Sequence, residues 1–201
     1  KLFPLLKQAT NHYRHFLYRG KDGKLHLPST YSPEYGNAED CNFNLALINW
    51  GCKTLLEITE RLKIEDELIP VWKEILRDLT PYPVKEGEGL MIGHGVPYVN
   101  SHRHYSHLLA AYPLYLINRE NPEEYKLIDE SLKYWQSKPA AHRGYSYTGG
   151  ASIAAALGKG NDALDYLNKL FDNFGEMNFM SVNTLYRESG PVIETPLSGA
   201  Q

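Results

Sequence analysis

The chain has 201 residues, enough for one domain, or a large piece of one, with a core of its own. Hydrophobic residues make up 42%, charged residues 22%, and the formal net charge is -3; the lysines and arginines are scattered, so nothing basic invites nucleic acid or an anionic membrane surface. No apolar run nears the roughly 20 residues of a membrane span, no signal peptide is present, and Lys1 stands where Met would open a chain, so the start reads as processed or truncated.

Lys1 to about Tyr13 reads as the end of a helix, with Leu2, Leu5 and Leu6 on one side. His15 to His26 reads as a short hairpin, because Asp22-Gly23 between apolar strands is a two-residue turn signal. Leu27-Pro28 then leads to a proline turn, Ser32-Pro33-Glu34. Asn37 is the predicted cap of a helix running to about Lys63, with Phe43, Leu47, Ile48, Cys52, Leu55, Ile58 and Leu62 at helical spacing. Asp66 caps the next, with Leu68, Val71, Trp72, Ile75 and Leu79 inward, until Thr80-Pro81-Tyr82-Pro83 stops it. Lys85 to Pro97 holds four glycines and reads as a loop.

His104 to about Asn118 reads as helical around Leu108, Leu109 and Leu116, kinked or split at Pro113. Asn121-Pro122 is a cap followed by proline at the first helical position, opening a helix to about Ser137. Tyr147 to Leu157 is a small-residue helix ended by Gly158, and Asn161 caps the last clear helix. From Gly175 the sequence is irregular. Cys41 and Cys52 fall on one helix on the order of 16 Å apart, too far for a disulfide, and read as buried thiols.

Most of the chain is thus helices in consecutive pairs, with no repeat at a fixed period. Short connections alternate with long, decorated ones. Paired helices with the long loops at one end describe an all-α fold, an (α/α)6 toroid or a partial arc of one, with a short β-hairpin near the N-terminus.

Four places carry chemistry. Glu34 is a lone carboxylate on a proline turn: a general acid if apolar neighbours raise its pKa, or an acid facing a helix dipole. His102-Arg103-His104-Tyr105-Ser106-His107 is the densest polar cluster. His104 and His107 could share a helix face as metal ligands, but no cysteine is near, and hydroxyl recognition by imidazole and guanidinium fits as well. Arg143-Gly144-Tyr145-Ser146-Tyr147 opens the small-residue helix, with Tyr145 as a wall of a cleft or a packing residue. Glu194 sits in an uncharged, proline-framed stretch. The 15 tyrosines, eight histidines and three tryptophans suit a sugar cleft, although a helical core also uses such rings.

The order of these motifs is more telling than any one. Ser32-Pro33-Glu34, then His102-Arg103-His104-Tyr105-Ser106-His107-Leu108 with Tyr112-Pro113, then Gly144-Tyr145-Ser146, then Pro191-Val192-Ile193-Glu194 with Gly199 resembles the catalytic domain of glycoside hydrolase family 95, over nearly the whole chain. That family holds inverting α-L-fucosidases and related α-L-galactosidases. The resemblance implies an (α/α)6 barrel, with residues 1–201 forming its C-terminal part. It implies Glu34 as general acid and Glu194, in place of the family's aspartate, as the water-activating base. His102, Arg103, His107 and Tyr145 become substrate-binding residues. No metal or other cofactor is required. The partners implied are an oligosaccharide or polysaccharide and the N-terminal part of the same domain, in an extracytoplasmic (periplasmic or secreted) setting. Two other readings stay open: a sugar epimerase or isomerase using His102 or His107 as base, and a non-catalytic carbohydrate-binding or scaffold domain.

Overall fold

The computed structural model describes residues 2–175 and the backbone of Ser181–Val182 and Ile193–Glu194. Within these, six α-helices alternate with four small two-stranded antiparallel sheets. None of these helices is long and apolar enough to cross a membrane.

Helix α1 (Leu2–Arg14) packs Phe3, Leu6 and Tyr13 onto α2 (Asn42–Leu62) and its surroundings. Strands β1 (Tyr18–Arg19) and β2 (Leu25–His26) form the hairpin read from Asp22-Gly23. The connection is longer than two residues: the Gly20 and Gly23 amides bond the Lys24 and Gly20 carbonyls, and Gly23 lies at φ +79°. This is a turn closed by a left-handed glycine, the usual three-residue alternative.

A second hairpin was not expected. Strands β3 (Thr30–Ser32) and β4 (Gly36–Ala38) pair through Tyr31 and Asn37. Asn37 is therefore a strand residue rather than a cap, and α2 starts at Asn42. It ends at Lys63, left-handed at φ 54°, whose amide returns to the Glu60 carbonyl. Asp66 is not the cap of α3 (Ile69–Asp78), whose cap position is Leu68; its carboxylate instead accepts from the Leu68 amide at 3.0 Å in the turn just ahead of the helix. The glycine-rich loop contains a third hairpin, β5 (Val84–Lys85) with β6 (Gly89–Leu90).

The predicted helix over 104–118 does not form. Only Ser106–Leu108 makes a single 3₁₀ turn, after which the Leu116 and Ile117 amides fold back to the Ala110 carbonyl. Tyr105, Ser106, His107, Leu108, Ala110 and Ala111 are all buried. A stretch covered on every side has no solvent face, so its apolar spacing is not evidence of amphipathic helix. Helix α4 (Pro122–Gln136) opens as expected, with the Asn121 side chain accepting from the Glu123 amide at 3.0 Å. Helices α5 (Gly144–Ala156) and α6 (Gly160–Phe174) follow and pack together; Asn161 lies inside α6. Strands β7 (Ser181–Val182) and β8 (Ile193–Glu194) pair antiparallel.

Two apolar clusters hold these elements. One surrounds Trp72 and joins α1, α2 and α3 through Leu45, Ile48, Leu55 and Ile75. The other surrounds Trp135 and joins α4 and α5 to the 90–117 segment through Leu90, Leu108, Leu132 and Ile153. Each such fully buried side chain contributes roughly 1.5–3 kcal/mol. Cys41 and Cys52 are buried free thiols, Cys41 just ahead of α2 rather than on it. Burial pushes the Cys52 thiol up to about 12.

Candidate active site

Glu34 stands at the tip of the β3–β4 hairpin. The Tyr35 amide bonds the Ser32 carbonyl across a turn whose central residues are Pro33 and Glu34. Proline presets the first. Glu34 occupies the second at φ 55°, a left-handed conformation that glycine or asparagine usually supplies. A bulky side chain held there is more costly than the turn requires, and such outliers gather at functional sites. The turn leaves the carboxylate 53% exposed.

The second element is the 101–105 turn, fixed almost entirely by side chains beneath it. The Tyr98 hydroxyl accepts from the His102 amide at 2.7 Å and donates to the His102 carbonyl at 3.1 Å, and Trp135 Nε1 donates to the same carbonyl at 3.2 Å. Ser101 Oγ takes the Ala141 amide at 2.8 Å and donates to the Lys138 carbonyl. Ser146 Oγ, at the start of α5, donates to the Arg103 carbonyl at 2.7 Å. The buried Ser32 and Ser106 hydroxyls, 3.1 Å apart, tie hairpin to turn.

Folding so brings together residues about 70 apart in sequence. Arg103 Nη2 donates to Glu34 Oε2, and His104 Nε2 lies 3.3 Å from the same oxygen. His102 Nε2 is 3.3 Å from the Pro33 carbonyl, and its ring is 5.1 Å from that of His104. The exposed Tyr145 ring meets His104 edge-on at 5.6 Å and stacks on Tyr105 at 5.0 Å. Of the residues singled out in the sequence, Glu34, Arg103, His102 and Tyr145 thus converge. His107 does not reach them. It is 3% exposed and stacks under Tyr98 at 5.0 Å, and burial pushes its imidazole down to about 3. A fully buried ring of such low basicity is a poor general base for a solvent-borne sugar, which leaves the epimerase reading with His102. The Glu194 side chain lies outside the described residues.

Electrostatics sharpen the picture. Partial loss of water around Glu34 pushes its carboxyl up, but Arg103 and then His104 and His102 outweigh that and hold it below the usual range. Burial, and then the charges of His104 and Arg103, hold His102 below the ordinary histidine value, so that imidazole is neutral at pH 7.

Sequence reasoning missed the supports: Tyr98, Trp135, Ser101 and Ser146. Ser146 alone had a visible signal, standing inside a quoted motif. The hydroxyls of Tyr98 and Ser101 have no pattern that distinguishes them before folding.

A fork of N–H donors, two imidazole rings, a carboxylate and an open tyrosine face are groups that bind hydroxyls and stack on apolar ring faces. This puts the chain among carbohydrate-handling proteins. The glycosyl hydrolase family 95 catalytic domain matches residues 1–192, and the chain belongs to that family. It is a glycoside hydrolase domain with a carbohydrate substrate. No curated protein matches it.

Proposed function

We propose that the domain is an inverting hydrolase of α-L-fucosyl or related α-L-galactosyl linkages, part of an (α/α)6 toroid whose mouth carries Glu34. The supporting observation is the tip of the β3–β4 hairpin: Glu34, left-handed and open, is held by Arg103 and His104, and the Tyr145 ring meets His104 edge-on. In this reading protonated Glu34 donates to the glycosidic oxygen, and Glu194 activates water on the opposite face of the sugar. Inversion requires the two carboxyls roughly 6.5–9.5 Å apart. An extracytoplasmic setting, periplasmic or secreted, is part of the same proposal.

A general acid must carry a proton, whereas Arg103 favours the ionised form of Glu34. Sugar binding resolves this conflict. Arg103 and His104 are also the groups best placed to take sugar hydroxyls, and a bound ring excludes water from the tip. Both changes raise the carboxyl pKa, so the acid becomes loaded in the complex. The basic limb of kcat, which reports the complex, therefore lies at higher pH than the basic limb of kcat/KM, which reports the free enzyme.

The test is hydrolysis of aryl α-L-fucosides and α-L-galactosides, with the anomer of the product followed by NMR. Glu34→Gln abolishes turnover and leaves sugar binding nearly intact. Full activity in that variant, or a product of retained configuration, would refute the assignment.

A further inference from the structure

We infer that Glu34, His102 and His104 form a binding site for a divalent transition cation of the zinc type, and that its occupancy shuts off the carboxylate. Each residue offers one ligand atom, and the three atoms all lie within 4.8 Å of one another. Among the described residues no other group of three histidine, cysteine or carboxylate ligands comes so close.

One edge of the triangle already has the dimension zinc requires. Bonds of about 2.0–2.1 Å in a tetrahedron place neighbouring ligands about 3.3 Å apart. The edge between His104 Nε2 and Glu34 Oε2 is already 3.3 Å. The His102 ligand atom lies within 4.8 Å of the other two, so closing the remaining edges takes a shift of up to about 1.5 Å. Two imidazoles and one carboxylate suit zinc, copper or nickel; magnesium and calcium prefer oxygen ligands throughout. Three protein ligands leave the fourth position open to water.

This is not the pair suggested by sequence spacing. His107 points into the core beneath Tyr98, and its place is taken by a carboxylate from a hairpin about 70 residues away. Arg103 competes with the cation, since its guanidinium holds the same Oε2. Binding must displace it, which makes the site weaker than its ligand set alone would be, and reversible. A cation bound to the Glu34 carboxylate stabilises its ionised form, so the group no longer takes up the proton it would have to donate. The inhibitory half of the inference rests on the reading of Glu34 as the acid; the binding half does not.

Calorimetric titration of the metal-free chain with zinc chloride tests both. We expect one saturable equivalent, weakened at least tenfold in His104→Ala and in Glu34→Gln. Arg103→Met is expected to bind zinc more tightly, a gain that general damage to the fold would not produce. Hydrolysis by the parent chain should fall in step with occupancy and return on chelation. No saturable binding, or binding indifferent to His104→Ala, overturns the site, and binding without loss of activity overturns the inhibition. If Glu34→Gln keeps full activity, the acid assignment fails on its own while the titration still reports the site.

Discussion

Removal of a single hydroxyl, in Ser146→Ala, tests how the fold holds the site. Ser146 is fully buried. Its Oγ donates to the Arg103 carbonyl at 2.7 Å and accepts from the Arg143 amide at 3.1 Å, so one atom closes the front of α5 and anchors the turn that carries Arg103. Each bond contributes about 1 kcal/mol net, and a buried carbonyl or amide left without a partner adds about 1–3 kcal/mol. The void left by an oxygen is too small to admit water. The expected cost is therefore about 2–4 kcal/mol, read from urea unfolding midpoints. Thr148→Ala is the matched control. Its Oγ1 bonds the Tyr145 carbonyl at 3.0 Å within the same helix and should cost only about 1 kcal/mol. Well below the unfolding transition, Ser146→Ala should lose more than tenfold in kcat/KM on an aryl α-L-fucoside, and Thr148→Ala should stay near the parent. If the two variants are equal in both stability and kcat/KM, Ser146 does not position Arg103.

Two further predictions concern parts of the chain with different jobs. His26 Nδ1 lies 2.7 Å from buried Asp40, which also accepts the Leu27 amide at 2.7 Å. The bond to Asp40, against partial loss of water and with help from Asp22, raises the His26 pKa. A raised folded pKa contributes stability that is complete below the unfolded value of about 6.5 and is lost as pH rises through the folded value. Melting temperature should therefore fall between mildly acidic and alkaline pH, and His26→Gln should flatten that slope; an unchanged slope would discount the pair. Gly149→Ala sets two effects against each other. Alanine gains about 1 kcal/mol of helix propensity. Its methyl, however, would stand 2.2 Å from Cε1 of Tyr105, and overpacking of this kind costs about 1–3 kcal/mol. Tyr105 stacks on Tyr145, so a net loss of stability should come with a raised KM; a more stable enzyme with unchanged KM would show that the ring yields freely.

The helices were legible where one face meets water and a cap stands at the front. Asn121-Pro122 is of this kind, and α4 begins where it indicates; Asp66 marks only the turn ahead of α3, which starts at Ile69. Signals failed where burial is two-sided or where strands are too short to alternate. Residues 104–118 carry leucines at helical spacing, yet Tyr105 to Leu108, Ala110 and Ala111 are buried among the helices with no polar stripe to report, and the exposed residues, Pro113, Tyr115 and Asn118, fall in the turns beyond. Strands β3, β4, β5 and β6 have two or three residues each, fewer than one period-2 pattern needs.

The site divides the same way. That Glu34 carries chemistry rested on the order of motifs, because the carboxylate alone looks like any acid before a helix. What no local pattern holds is the distance between Glu34 and the 102–104 turn, set by Ser32 meeting Ser106 and by Tyr98, Trp135 and Ser146 gripping the turn from below. Those supports bond backbone rather than ligand, so they have no chemistry of their own to notice. Their consequence is nonetheless electrostatic: they aim Arg103 at Glu34 and so ensure that the empty site holds an ionised carboxylate. If Glu34 is the general acid proposed above, it is thereby kept unprotonated until something with hydroxyl groups draws the guanidinium away. On that proposal the frame beneath the turn, as much as the carboxylate on the hairpin, decides when a proton is available.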